Sequence, residues 1–148
     1  MLIRVTKEFA FEMAHALWGY DGKCRNIHGH TYRLLVTLKG EPINDVNSHK
    51  NGMVINFSLL KDIVNKEIIS IFDHSLVLNA NSPHSRLKDN DMSFDKIVLV
   101  PYQPTCENLL ADFALRLQNQ FSPNINLYSL KLYETITSYA EWFASDNK

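Results

Sequence analysis

A chain of 148 residues is long enough for one domain with one core, expected to span residues 1–148. Hydrophobic residues at 45%, charged residues at 21% and a formal net charge of −1 describe a globular protein and argue against a nucleic-acid or membrane partner. The two cysteines, Cys24 and Cys106, are too few for a secreted disulfide scaffold, and the charged, alternating N-terminus is unlike a signal peptide, so a cytoplasmic location with reduced thiols is expected.

Residues 2–15 alternate, placing Ile3, Val5, Phe9, Phe11, Met13 and His15 on one side of a strand. Residues 28–38 do the same with His28, His30, Tyr32, Leu34, Val36 and Leu38, and the intervening loop, long for a hairpin, carries Cys24. After a turn-rich stretch, Asn56 is a candidate N-cap for a helix whose apolar positions are Phe57, Leu60, Ile63, Val64, Ile68, Ile71 and Phe72; its end delivers Asp73 and His74. The polar stretch 79–95 is expected to be a loop, and residues 96–100 a short strand. Thr105 is the N-cap of a second helix with Leu110, Phe113, Ala114, Leu117 and Phe121 as its buried stripe. Residues 126–136 are expected to close the pattern as a strand with Tyr128, Leu130, Leu132 and Glu134 on one face. Such an order suggests an α+β domain with an antiparallel sheet covered on one face.

Residues i and i+2 of a strand point the same way, their Cα atoms roughly 6.5–7 Å apart, so His28 and His30 can converge on one ion. If the first two strands pair antiparallel, His15 lies opposite them. Three imidazoles without a fourth protein ligand describe a catalytic zinc site, whose fourth position is open. Two alternatives stand beside it: a structural site closed by Cys24, and strand histidines that bind nothing. Lys23 and Arg25 flank Cys24 and favour a thiolate, hence a base or nucleophile; an inert loop thiol is the alternative. Cys106 has no histidine near it in sequence and is assigned to packing. Asp73 and His74 fit either helix-end capping or a proton shuttle. Glu134, on an apolar strand face, needs a partner, which is either an internal cation or a ligand edge with two N–H donors. Glu107 is explained by the dipole of the second helix.

In order along the chain, FEMAH, CRNIHGHTY, GMVINF, DHSLVLN, PTCEN and LYETITSYAEW resemble the 6-pyruvoyl-tetrahydropterin synthase and 6-carboxy-tetrahydropterin synthase family. The resemblance implies the tunnelling fold (T-fold), a four-stranded antiparallel sheet with two helices on one face, with trimers closing into a barrel and pairing as a homohexamer. It implies one Zn²⁺ on His15, His28 and His30, Cys24 as base, and Asp73 and His74 as acid or relay, contributed across a subunit interface. It further implies that Glu134 holds the 2-amino and N3–H edge of a pterin triphosphate substrate, with Thr105 and Glu107 lining the same pocket. Three residues separate Cys24 from HGH, a spacing that resembles the carboxy branch. The implied reaction then converts 7,8-dihydroneopterin triphosphate to a 6-carboxy product, releasing triphosphate and acetaldehyde on the path to 7-deazaguanine nucleosides such as queuosine. The pyruvoyl branch and a pterin-binding protein without catalysis are the rivals. Two departures from the family pattern are Asn56 where Asp is common, read as a cap, and a longer 79–96 loop.

Overall fold

A computed structural model describes residues 1–90 and 94–147. Residues 91–93, within the stretch expected to be a loop, lie outside the described residues. Six strands form one sheet: β1 (Ile3–His15), β2 (His28–Gly40), β3 (Ser75–Asn79), β4 (Ile97–Val100), β5 (Ile125–Tyr133) and β6 (Tyr139–Phe143), in the order β4-β3-β1-β2-β5-β6. Between them run α1 (Phe57–Val64), a π-helical stretch (Asn65–Ile69), α2 (Ser70–Phe72), the short α3 (Leu87–Asn90) and α4 (Cys106–Leu117).

The fold is α+β, but the expected sheet of four antiparallel strands is corrected to six mixed ones. Four strands, β1-β2-β5-β6, are antiparallel neighbours; β3 and β4 extend the sheet beyond β1 in parallel. The strand expected at 96–100 is therefore not the fourth antiparallel member, which is β6. The strand β3 carries no alternation because both of its faces are covered. Val77 joins the main core, whereas Leu76 and Leu78 pack on the other side with Ala16, Leu87, Ile97 and Leu99. A short run buried on both faces has no period-two signal to read. The stretch 79–95 also holds more than loop, since Pro83–Arg86 forms a 3₁₀ turn leading into α3.

On the main-core face, Phe9, Phe11, Met13, Tyr32, Leu34, Val36 and Leu38 alternate as expected and are buried. Both long helical segments cover that face. Leu60, Val64, Ile68 and Phe72 are fully buried, four residues apart. In a regular α-helix three such steps would rotate the last residue about 120° from the first at ~100° per residue. The wider π-helical turn absorbs that drift and keeps the row on the core. Phe57, at the start of the expected stripe, is instead 47% exposed. Asn56 caps α1 by accepting from Ser58 N at 2.8 Å, and α4 seats Leu109, Leu110, Phe113, Ala114 and Leu117 in the core.

A register shift opposite Thr37 and Leu38 places both Leu127 and Leu130 inward. Tyr128 is consequently not on the face of Leu130 and Leu132; it lies under the Arg4 guanidinium, 4.0 Å from the ring centroid. The strand ends at Tyr133, so Glu134 stands in the hairpin that turns into β6, its N–H bonded to Ser138 O.

Candidate active site

The antiparallel register pairs His15 with His28 and Met13 with His30. The three imidazoles emerge on the core face at the end of the β1-β2 ribbon that the 16–27 loop connects, continuing the rows that bury Phe11, Met13 and Tyr32. Their ring centroids lie 4.5 Å (His15–His28), 5.3 Å (His15–His30) and 5.0 Å (His28–His30) apart. One donor atom from each falls within 4.8 Å of the others, and among the described residues no sulfur or carboxylate joins that group. The arrangement does not include Cys24 as a fourth donor.

Two of the rings are oriented by main-chain carbonyls. His15 Nδ1 donates to Pro104 O at 2.7 Å and His28 Nδ1 to Asn26 O at 2.8 Å. A carbonyl only accepts, so the proton of each neutral ring sits on Nδ1 and the Nε2 lone pair is bare. Those two Nε2 atoms face each other at 3.1 Å. Burial holds the His15 imidazole below its usual pKa, against the pull of the Pro104 carbonyl, and His28 pushes it in the same downward direction as burial. With each Nδ1–H given to a carbonyl, the two Nε2 atoms face each other at a separation that a shared metal ion can bridge. In a tetrahedral zinc site with bonds of 2.0–2.1 Å, adjacent nitrogens stand about 3.3 Å apart. The donor set therefore fits zinc, with His15, His28 and His30 as the residues able to hold it.

Glu134 reaches the same place from β5. Its Oε1 accepts from Tyr32 OH at 3.4 Å and lies 3.7 Å from His15 Nε2 and 3.8 Å from His30 Nε2. Its side chain is 28% exposed, and neither an internal Lys nor an Arg satisfies it among the described residues. Tyr32, visible in the sequence only as a core position, thus has its ring stacked on Phe11 and its hydroxyl on the carboxylate. Burial first, then the Glu134 charge, drive the Tyr32 hydroxyl far above its ordinary pKa, so it remains a donor.

The N-terminus of α4 borders the triad through Pro104. Thr105 Oγ1 caps the helix by accepting from Asn108 N at 3.3 Å, and Glu107 is exposed in the first turn. Cys106 is buried and donates to Leu132 O at 3.3 Å; burial pushes its thiol up to about 12, in keeping with a packing role. Cys24 is half-buried in a 3₁₀ turn (Lys23–Arg25), its carbonyl accepting from Leu17 N at 2.9 Å. Lys23 and Arg25 are exposed on either side of it.

Asp73 and His74 form a pair of their own. Asp73 Oδ1 accepts from Glu12 N at 2.9 Å and contacts His74 Nδ1 at 2.9 Å. Burial raises the Asp73 pKa, but the Glu12 N–H and His74 outweigh it and hold the carboxyl below its ordinary value. His74 has φ +54°, in the left-handed region, while its N–H bonds Glu12 O at 2.6 Å. Lys96 Nζ ties the carbonyls of Ser70 and Asp73. His74, 77% exposed, opens on a cavity of about 620 Å³ lined by Glu12, Gly29, His30, Thr31 and Lys96. No hydrogen bond, ion pair or ring contact joins Asp73 or His74 to the triad among the described residues.

A family model described as 6-pyruvoyl tetrahydropterin synthase matches residues 4–145. A 6-carboxy-5,6,7,8-tetrahydropterin synthase of Haemophilus influenzae is 37% identical over 95% of this chain and 99% of its own. Another, of Rickettsia felis, is 32% identical with the same two coverages, 95% and 99%. Of solved structures, the 6-pyruvoyl tetrahydropterin synthase of Caenorhabditis elegans superposes with a TM-score of 0.69 at 24% identity, covering 97% of this chain and 96% of that one. An uncharacterized protein of Wolinella succinogenes gives a TM-score of 0.78 at 20% identity, covering 97% and 99%. At those identities the two structures speak for the fold. The near full-length matches, with relatives above 30% identity carrying the 6-carboxy name, make this chain a member of the 6-pyruvoyl tetrahydropterin synthase family, on the side of its 6-carboxy branch.

Proposed function

We propose that the protein is a zinc-dependent lyase that converts 7,8-dihydroneopterin triphosphate to 6-carboxy-5,6,7,8-tetrahydropterin, releasing triphosphate and acetaldehyde. The observation that carries the proposal is the pair of bare Nε2 atoms of His15 and His28 at 3.1 Å, with His30 and the carboxylate of Glu134 beside them. A metal site and a hydrogen-bond acceptor for a flat, N–H-bearing ring then share one end of the sheet. Curated relatives that bear the name of this enzyme favour the 6-carboxy outcome over the 6-pyruvoyl one.

Zinc bound by the three histidines would polarise the hydroxyls of the substrate side chain and acidify neighbouring C–H and O–H groups. The remaining tasks fall to the chain. Glu134 accepts from the 2-amino and N3–H groups of the pterin with both carboxylate oxygens, and Tyr32 steadies one of them. Thr105 and Glu107 border that ring. Cys24, as thiolate, takes a proton from the side chain, and His74, held by Asp73, supplies or relays one. Asp73 and His74 serve the site of a neighbouring copy in a homohexamer of two trimers, a reading supported by the lack, among the described residues, of any hydrogen bond, ion pair or ring contact from either to their own triad. The reaction takes place in the cytoplasm, as part of 7-deazaguanine nucleoside synthesis such as that of queuosine.

Incubation of the zinc-loaded protein with 7,8-dihydroneopterin triphosphate tests the proposal by product mass and an acetaldehyde assay. The expected result is the 6-carboxy mass with one acetaldehyde per triphosphate. Triphosphate release without acetaldehyde would assign the 6-pyruvoyl reaction, and pterin binding with no release would assign a non-catalytic binder.

A further inference from the structure

The Cys24 loop, residues 16–27, is held to the rest of the molecule by a clamp that the proposed chemistry does not yet include. Gln103 Nε2 donates to Trp18 O at 2.8 Å, and Gln103 Oε1 accepts from Trp18 N at 3.2 Å. One side-chain amide thus satisfies both main-chain groups of a single loop residue, as a neighbouring strand would. Among the described residues these are the only side-chain hydrogen bonds that tie the loop to a distant part of the chain.

Gln103 is itself fixed. Its carbonyl accepts from Thr105 N at 2.8 Å and from Asn108 Nδ2 at 3.0 Å, which locks it to the first turn of α4. The next residue, Pro104, orients His15 through its carbonyl. Three consecutive residues therefore hold three things: Gln103 the loop, Pro104 the metal-side imidazole, and Thr105 the helix cap. Inside the loop, Leu17 N bonds Cys24 O at 2.9 Å, so a displacement of Trp18 is passed to Cys24 through its covalent neighbour. On the outer side the Trp18 and His84 rings stand edge to face, with centroids 5.1 Å apart.

We infer that Gln103 is a positioning residue, whose amide sets the placement of Cys24 relative to the three histidines. The inference rests on Cys24 acting as the proposed base. Truncating the amide frees the loop without touching a metal donor or a core side chain. Proximity is steeply rewarded in catalysis, and an ångström of misplacement costs up to about a hundredfold.

The test compares the parent with Gln103→Ala and with Gln103→Glu, which keeps the acceptor and loses the donor. Five quantities are read on the intact protein: metal content, thermal midpoint, kcat and KM with 7,8-dihydroneopterin triphosphate, and the rate of iodoacetamide labelling on the Cys24 peptide. The expected result for Gln103→Ala is unchanged metal content, a kcat lowered by about tenfold to a hundredfold, a KM within about threefold, and faster Cys24 labelling. Gln103→Glu falls between the two, and it carries the test if Gln103→Ala does not fold. Unchanged labelling and unchanged kcat in both variants would overturn the inference, as would a loss confined to metal content. Cys24→Ala separates the two ideas: full turnover in that variant removes Cys24 from the chemistry, while altered labelling in the Gln103 variants still reports the clamp.

Discussion

The triad and the Asp73–His74 pair lie at the same end of the sheet, yet they are built in opposite ways. In the triad, His15 is 1% exposed and two rings are oriented by backbone carbonyls. Orientation by main chain is rigid, because moving a carbonyl means moving a strand or a helix cap. Asp73 and His74 are oriented just as firmly, by Glu12 and Lys96, but the His74 ring is largely exposed and lines an open cavity. His74 is a non-glycine residue held at positive φ, a strain offset within the chain by its N–H bond to Glu12 O and its contact with Asp73, while most of its imidazole stays in solvent. The difference teaches that main-chain carbonyls hold the triad inside the end of the sheet, whereas the Asp73–His74 pair is held at the surface with its imidazole left largely to solvent.

That contrast breaks first at the triad. His15→Ala removes a buried donor, and the expected outcome is loss of bound metal together with a drop in turnover of about a thousandfold or more. Elemental analysis and product mass measure both; retained metal with full turnover would mean that the three rings are not its site. The contrast is sharpened next by mixing. Cys24→Ala and His74→Ala are each expected to lose about a hundredfold or more in kcat, and co-expressed mixed assemblies are expected to regain a substantial part of it. Recovery locates thiol and imidazole on different chains, and its absence returns them to one.

The smallest expected effect is in stability at low pH. The folded Asp73 carboxyl titrates below its unfolded value, so its contribution is present above the unfolded pKa of about 3.9 and is lost as pH falls through the lower folded value. The midpoint difference between the parent and Asp73→Asn should therefore be largest above about pH 4 and shrink below it. With the side chain 36% exposed, solvent screening keeps the difference small. A difference that grows on acidification would reverse the assignment.

Much of the site was legible because strand parity is a local property. HGH at alternate positions, and His15 in phase with Phe11 and Met13, required only an antiparallel ribbon to converge, and the register supplies it. The helix caps at Asn56 and Thr105 were legible for the same reason, since a cap is chosen by residues two or three positions away. Glu134 was recognisable as a carboxylate in need of a partner, although it was placed within a strand that ends one residue earlier.

What the chain could not announce locally depended on contacts between distant segments. The buried run Ser75–Asn79 lost its periodicity to packing on both faces, and β6 took the place expected of residues 96–100. Gln103 reads as an ordinary polar residue until the loop at Trp18 folds against it, and Tyr32 reads as core until Glu134 arrives from β5. By itself, then, the sequence determined which side chains share a face and where helices start, because alternation and capping act within a few bonds. Only the tertiary structure decided which strands are neighbours, what each buried polar group bonds to and which way Asp73 and His74 point, because those depend on surfaces that meet only after the chain has closed on itself.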